Sequence, residues 1–334
     1  MTRPIVSIGA GAIVKYAHWP AYKLAGYQVH SVYDPNVLGA KDLANEFGVP
    51  IISESLEELI AGAPNNCIYD IATPAVKIES ILETLPDGAN VLVQKPLGEN
   101  LDQAQNINAV CQSKKLALAV NFQLRYAPYA VVTRNLIDSG AIGNLHEIDV
   151  RVNVNTPWQL WDFLALAPRM EIVYHSIHYL DLIRSFLGEP SSVCARSIKH
   201  PASRNLHSCR SSVILDYGDW IRANIFTNHG HAFGKRHQES YIRFEGDKGC
   251  IKFQMGLNMN YPAGEPDYLE YISDGMEDWE SVPLEGSWFP HAFIGTMKSV
   301  MRGADDPQYL VPTRLEDAMK TMALVEDCYQ SSAR

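Results

Sequence analysis

A short apolar run, Ile5 to Ile8, passes straight into Gly9-Ala10-Gly11-Ala12-Ile13-Val14, and this junction constrains the fold more than any other feature. In a nucleotide-binding α/β fold the first strand ends in a tight turn that opens a helix toward a pyrophosphate. Gly9 is read as the turn residue and Gly11 as the point of close backbone approach. Ala12 and Ile13 follow in the opening helix, and Val14 stands where a third fingerprint glycine is usual, so the bare motif is imperfect. Context strengthens it. Up to about residue 120, short runs rich in Val and Ile (Ile5 to Ile8, Val29 to Tyr33, Cys67 to Ile71, Val91 to Val93, Leu116 to Val120) alternate with helical stretches beginning near Ala12, Gly39, Leu56, Val76 and Leu101. That is the pattern of a doubly wound parallel sheet. The second strand ends at Asp34, whose carboxylate can accept hydrogen bonds from ribose hydroxyls; a plain Asp34-Pro35-Asn36 turn is the competing reading. Asp34 would repel a 2′-phosphate, so NAD is favoured over NADP.

Two further strand ends fall at the same edge of such a sheet. Ala72-Thr73-Pro74 follows one strand, and Gln94-Lys95-Pro96 follows Val91 to Val93. Open α/β sheets bind ligands outside the carboxyl ends of their strands, and the proline holds Lys95 extended and makes a cis bond possible. Lys95 is therefore the leading candidate for a chemical group. A loop role for Thr73-Pro74 competes closely with a site role.

After Gly140-Ala141-Ile142-Gly143 the pattern changes to longer alternating strands, including Glu147 to Asn153, Ser211 to Asp216, Ile221 to Thr227 and Tyr241 to Glu245. Turns at Gly218 and Gly246-Asp247-Lys248-Gly249 predict a mostly antiparallel open sheet with a few helices, closed by a terminal helix from Arg314 to Asp327. The expected class is α/β plus α+β, divided as 1–120 (Rossmann) and 121–334 (substrate and oligomer domain). Within the second part, Glu171, Tyr174, His175 and His178 fall at i, i+3, i+4 and i+7 of a helical pattern that Gly188 can stop, with Asp181 a turn later. Histidine exchanges protons near neutral pH, so His178 or His175 beside Lys95 would make an acid/base pair for a reacting hydroxyl. A structural histidine competes evenly. His175-x-x-His178 with Glu171 lacks the usual zinc order, and no metal is expected. Upstream, Thr156 and Pro157 can start a helix carrying Trp158 and Trp161 at i and i+3, suited to a core contact or a platform for a sugar ring. Arg169 can reach a carboxylate or hydroxyl, or form a surface salt bridge. His229, His231 and His237 make a histidine-rich stretch with no assignable role.

The chain has 334 residues, 46% hydrophobic, with a net charge of -10. This suits two globular domains with small-molecule partners and argues against nucleic acid. The N-terminus shows no signal peptide and no run is long enough to span a bilayer, so a cytoplasmic protein is expected. The six cysteines (67, 111, 194, 209, 250 and 328) lack a Cys-x-x-Cys pair and read as reduced, mostly buried thiols.

Taken in order, several motifs make the chain resemble the glucose-fructose oxidoreductase and inositol dehydrogenase (Gfo/Idh/MocA) family along nearly its whole length. They are Gly9-Ala10-Gly11-Ala12-Ile13 with His18-Trp19-Pro20, Ala72-Thr73-Pro74, Gln94-Lys95-Pro96, Asn121-Phe122-Gln123-Leu124-Arg125-Tyr126-Ala127-Pro128, Gly140-Ala141-Ile142-Gly143, and His178-x-x-Asp181 before Leu187-Gly188. The resemblance implies Lys95 and His178 as the catalytic pair. It implies an NAD site built from Gly9, Gly11, Ala12, Ile13, Asp34, Ala72, Thr73, Pro74, Gln94 and Lys95. Substrate contacts are expected from Gln123, Arg125, Trp158, Trp161, Arg169, Tyr174 and His175, and a homodimer or homotetramer through the C-terminal sheet. Three positions depart from the family pattern: Tyr174 for an aspartate, Ile78 for a histidine and Gln94 for a glutamate. The expected activity is NAD-dependent oxidation of a sugar, polyol or sugar acid hydroxyl to a lactone or ketone. Competing readings are a catalytically silent NAD/sugar sensor and a redox-assisted elimination or glycoside cleavage with no net NADH.

Overall fold

The computed structural model describes residues 2–333. They form two compact units: the chain up to Gln123 joined by Phe289–Ala323, and Leu124–Trp288 joined by the chain from Leu324 onward. Against the expected division of 1–120 and 121–334, the first stretch closes slightly later, and the 289–323 segment belongs to the first unit.

In the first unit six parallel strands, β1 (Ile5–Ile8), β2 (Val29–Tyr33), β3 (Ile51–Ile52), β4 (Ile68–Ile71), β5 (Asn90–Val93) and β6 (Ala117–Val120), lie in the order β3-β2-β1-β4-β5-β6. This is the doubly wound order whose direction reverses beside β1, where such sheets form their binding crevice. β1 and β4 are buried at every residue, which suits their mostly apolar make-up, interrupted by Ser7 and Asp70. Trp19 and Tyr22, from the helix Trp19–Ala25, share one apolar cluster with Ile5, Val32, Ile68 and Leu92. So do Phe293, Met297 and Val300 from the helix His291–Asp305, so the returning segment completes this core. Beyond that helix, Thr313 accepts a hydrogen bond from the Val120 amide.

In the second unit eight strands, β7 (Leu145–Asn153), β8 (Ser192–Ile198), β9 (Arg210–Asp216), β10 (Arg222–Asn228), β11 (Glu239–Gly246), β12 (Gly249–Gln254), β13 (Tyr268–Ser273) and β14 (Glu280–Ser281), lie in the order β14-β13-β12-β11-β7-β10-β9-β8. Every neighbouring pair is antiparallel except β7 with β10. One face alternates inward: Tyr129, from the helix Pro128–Asp138, stacks on Phe253 at 4.4 Å, and Phe186, from the helix Ile177–Leu187, meets Phe244 at 4.9 Å. Ile214 and Phe226 lie exposed on the sheet. Four of the six cysteines are buried, Cys194 is exposed and Cys250 is intermediate. No helix among the described residues is long and apolar enough to cross a membrane.

Candidate active site

In the first unit the site grows from the carboxyl ends of β1, β2, β4, β5 and β6. Gly9 has φ +106°, and a Cβ there would lie 2.5 Å from the Ala72 carbonyl oxygen, so both conformation and contact with the end of β4 demand glycine. A Cβ at Gly11 would meet no protein atom within 4 Å, so packing within the chain does not require this second glycine. Helix follows, but as a π turn at Val14–His18 before the α-helix from Trp19. A cleft beside the turn is bounded by Ala10, Gly11, Ala12, Lys15, Asp42 and Glu46. Asp34 is partly exposed; its Oδ2 accepts the Ala10 amide and its Oδ1 the Asn36 amide, each at 2.8 Å. The turn reading and the binding reading of Asp34 are therefore compatible, because each carboxylate oxygen retains a lone pair.

Buried polar atoms collect where the neighbouring strands end. Thr73 Oγ1 after β4, Gln94 Oε1 after β5, and Asn121 Oδ1 and Gln123 Oε1 after β6 have no hydrogen-bond partner among the described residues. Interiors rarely leave such atoms unsatisfied, so their convergence marks a place built to meet a polar ligand. Lys95 is bonded to Pro96 through a cis peptide and is largely enclosed, and burial draws its ammonium from the ordinary 10.5 down to about 8. Near neutral pH it can hold or release a proton at little cost. Ile78, at a position where the family pattern has histidine, is fully buried and brings no ionisable group.

One cluster in this unit escaped the reading of the sequence. His18 Nδ1 lies 2.9 Å from Asp70 Oδ2, the Tyr22 hydroxyl donates to the same oxygen at 2.9 Å, and Asn121 Nδ2 stands 3.4 Å from His18 Nε2. All four residues are buried. Burial, then the Asp70 charge, pushes the Tyr22 phenol well up, so it stays a donor. The network ties the first helix to β4 and to the chain leaving β6. The signal was an aspartate inside an otherwise apolar strand.

In the second unit the loaded helix begins with a π turn at Ile172–Ser176 before the α-helix Ile177–Leu187. The wider turn breaks up the expected single stripe. Tyr174 packs against Phe163, with ring centroids 5.6 Å apart, and His178, nearly buried, meets the edge of Trp288 at 5.5 Å. Glu171 and His175 instead face His229, which directly follows β10. His229 Nε2 lies 3.3 Å and His175 Nδ1 3.9 Å from Glu171 Oε1, and Ser176 Oγ donates to that oxygen at 2.7 Å. Burial alone would raise the Glu171 carboxyl, but the hydrogen bond and charge of His229 outweigh it and hold the carboxyl below the usual carboxylate range.

Thr156 does not cap a helix. Only a 3-10 turn, Trp158–Leu160, follows, and the Thr156 hydroxyl lies 2.8 Å from His229 Nδ1. Trp158 and Trp161 stay neighbours at 6.1 Å, and with Tyr174 they rest on the small cluster of Leu164, Met170, Leu206 and Cys209 while staying partly exposed. Both expected arginines are engaged by the protein's own carboxylates. Arg125 grips buried Asp181 through Nε and Nη2, each at 2.6 Å, and Arg169 forks onto Glu326 and covers the Tyr329 ring. Asp181 follows His178 by three residues, so the Arg125 pair braces the helix that carries this histidine.

The family relation is direct. Residues 4–122 match the model of an oxidoreductase family with an NAD-binding Rossmann fold, and residues 134–334 match the C-terminal alpha/beta domain of the same family. The chain belongs to the Gfo/Idh/MocA oxidoreductase family. Among relatives, it is 22% identical to the D-apiose dehydrogenase of Rhizobium rhizogenes, over 98% of this chain and 94% of that one. It is 24% identical to the 1,5-anhydro-D-fructose reductase of Ensifer adhaerens, over 73% of each. An oxidoreductase from Agrobacterium radiobacter, solved with NAD+, L-tartaric acid and magnesium, shares the fold at a TM-score of 0.82 and 20% identity, covering 100% of this chain and 97% of that one. The aldose-aldose oxidoreductase of Caulobacter crescentus, complexed with glycerol, also has a TM-score of 0.82 at 15% identity, covering 100% and 98%.

Proposed function

We propose that this protein is an NAD-linked dehydrogenase that oxidises one hydroxyl-bearing carbon of a sugar, polyol or sugar acid, with Lys95 and His178 handling the proton. The observation that carries this reading is the enclosed Lys95 at the end of β5, its ammonium drawn down to about 8 at the ligand-binding edge of the sheet. The names of the relatives, D-apiose dehydrogenase and 1,5-anhydro-D-fructose reductase, support the substrate class.

The residues fit a dinucleotide. The space a Gly11 Cβ would take is open, Asp34 keeps lone pairs for ribose hydroxyls, and the unsatisfied Thr73 and Gln94 oxygens suit the donors of an amide or sugar. Asp34 disfavours a 2′-phosphate, so NAD is proposed ahead of NADP. When bound, the nicotinamide supplies the hydride acceptor. The protein's part is proton management and orientation: neutral His178 takes the hydroxyl proton, while the Lys95 ammonium steadies the negative charge developing on the oxygen. Trp158 and Trp161, both partly exposed, offer ring surface to the apolar side of a sugar, with Gln123, Tyr174 and His175 as polar contacts. Arg125 and Arg169 keep structural tasks. Self-association through the sheet face bearing Ile214 and Phe226 is proposed for the assembly.

The test is a panel of aldoses, inositols and sugar acids with NAD and with NADP, followed at the NADH absorbance with product identification. His178→Asn and Lys95→Met should each lower kcat by about 10²–10⁴-fold while the protein still binds NAD. Near-normal turnover in both variants sinks the mechanism, and product formation without NADH accumulation replaces it with redox-assisted elimination.

A further inference from the structure

Two members of a largely buried donor set in the second unit, Glu171 and His229, have no task in the reaction above. The sequence favours no metal, because His175-x-x-His178 with Glu171 lacks the usual zinc order. The fold sets His178 apart and supplies a different third group, His229, from the end of β10. Ligand atoms of Glu171, His175 and His229 all lie within 4.8 Å of one another. Around a tetrahedral ion with Zn–N and Zn–O bonds of about 2.0–2.1 Å, neighbouring ligand atoms stand about 3.3 Å apart. Here Glu171 Oε1 stands 3.3 Å from His229 Nε2 and 3.9 Å from His175 Nδ1, so small side-chain rotations close the set on one ion.

We propose that Glu171, His175 and His229 form a binding site for a divalent transition metal ion of the zinc type. Glu171 is fully buried, and its Oε2 has no hydrogen-bond partner among the described residues, a costly state for a carboxylate oxygen that a cation relieves. The outer contacts also fit. Thr156 Oγ1 can accept the Nδ1 proton of His229, leaving the Nε2 lone pair directed at the cluster, and Ser176 Oγ fixes the carboxylate. Two imidazoles and one carboxylate select zinc or its transition-metal neighbours over magnesium and calcium, which take oxygen ligands. Three protein ligands leave a fourth position. It falls on the side of His175, the one of the three whose side chain keeps exposure, at 15%. Trp158 walls the cluster, with its ring 5.0 Å from His229 and 6.4 Å from His175. The open position takes water or an oxygen of a bound small molecule.

The inference shares only His175 with the dehydrogenase reading, and its test uses neither nicotinamide nor sugar. The full-length protein is stripped with a chelator and titrated with Zn2+ by calorimetry, and bound metal is counted by mass spectrometry after gel filtration. One zinc per chain with a Kd of about 1 μM or tighter is expected. Glu171→Gln and His229→Ala should weaken it by about 100-fold or more, and Thr156→Val, which keeps all three ligands, by about 10–100-fold. His231→Ala, outside the cluster, should bind as the parent does. Circular dichroism checks the fold of each variant. If either ligand variant fails to fold, the parent stoichiometry and Thr156→Val decide. Failure of the parent to bind zinc overturns the proposal, as does affinity unchanged in Thr156→Val or lost equally in His231→Ala.

Discussion

Lys95 should destabilise the protein it serves. Burial lowers its ammonium from 10.5 to about 8, so at pH 7 the folded state carries a charge it would rather shed. At about 1.4 kcal/mol per factor of ten, that drop corresponds to about 3 kcal/mol against folding at pH 7. Lys95 keeps partial exposure, which reduces the expected effect to about 1–3 kcal/mol. Replacing it by methionine, which fills similar space without charge, should stabilise the first unit by this amount while removing turnover, the usual trade between stability and an active group. For a unit of this size each kcal/mol is worth about 2–4 °C in Tm.

The pH dependence separates this cause from a mere gain in packing. Between pH 8 and 10.5 the unfolded lysine binds a proton that the folded one has lost, so this residue makes wild-type stability rise with pH across that window. Lys95→Met lacks that rise. Its advantage should be full below pH 8 and should shrink toward zero near pH 10.5. Urea unfolding of both proteins at pH 7 and pH 10, with the difference in midpoints taken at each pH, measures it and cancels the titration of all other groups. Equal differences at the two pH values, or a variant less stable than wild type at pH 7, would refute the reasoning.

The same titration should show in the kinetics: kcat/KM for oxidation should fall as pH rises through about 8, where the ammonium is lost, and Lys95→Arg should abolish that limb while slowing the reaction. A limb that persists unchanged in Lys95→Arg assigns it to another group. Asp34→Ala should raise the NAD Kd by about 10–100-fold, through loss of charge-assisted hydrogen bonds, and narrow the preference over NADP, as fluorescence titration with each cofactor will read. An unchanged cofactor preference removes Asp34 from the site. Arg125→Met should cost about 3–5 kcal/mol by removing the cation that pairs with buried Asp181, seen as a lowered Tm. If stability holds and only the substrate KM rises, Arg125 is a substrate ligand after all.

Local patterning carried most of the first sheet and little of what the second unit does with its histidines. β1, β2, β4, β5 and β6 were legible because strands covered on both faces are mostly apolar and rich in Val and Ile, even where Ser7, His30, Ser31 or Asp70 interrupts them. β3, two residues long, leaves no periodic trace, and nothing local marks His291–Asp305 as a helix that completes a core begun almost three hundred residues earlier. The helical period grouped Glu171, Tyr174, His175 and His178, but a π turn widens the helix by nearly a residue per turn, so Tyr174 and His178 part from Glu171 and His175, which stay together. The partner that gives Glu171 and His175 their meaning depends on long-range register. Parallel pairing sets Asn228 opposite Asn153, and a separate antiparallel bridge joins Asn155 to Gly230 just past the strand ends, which together bring His229 to Thr156 and Glu171. A slip of one residue would turn His229 to the other face of the sheet and dissolve the cluster. The three donors therefore report the β7–β10 pairing, the one parallel pair in the second sheet. A substitution that loosens that pairing should weaken metal binding even with every ligand in place.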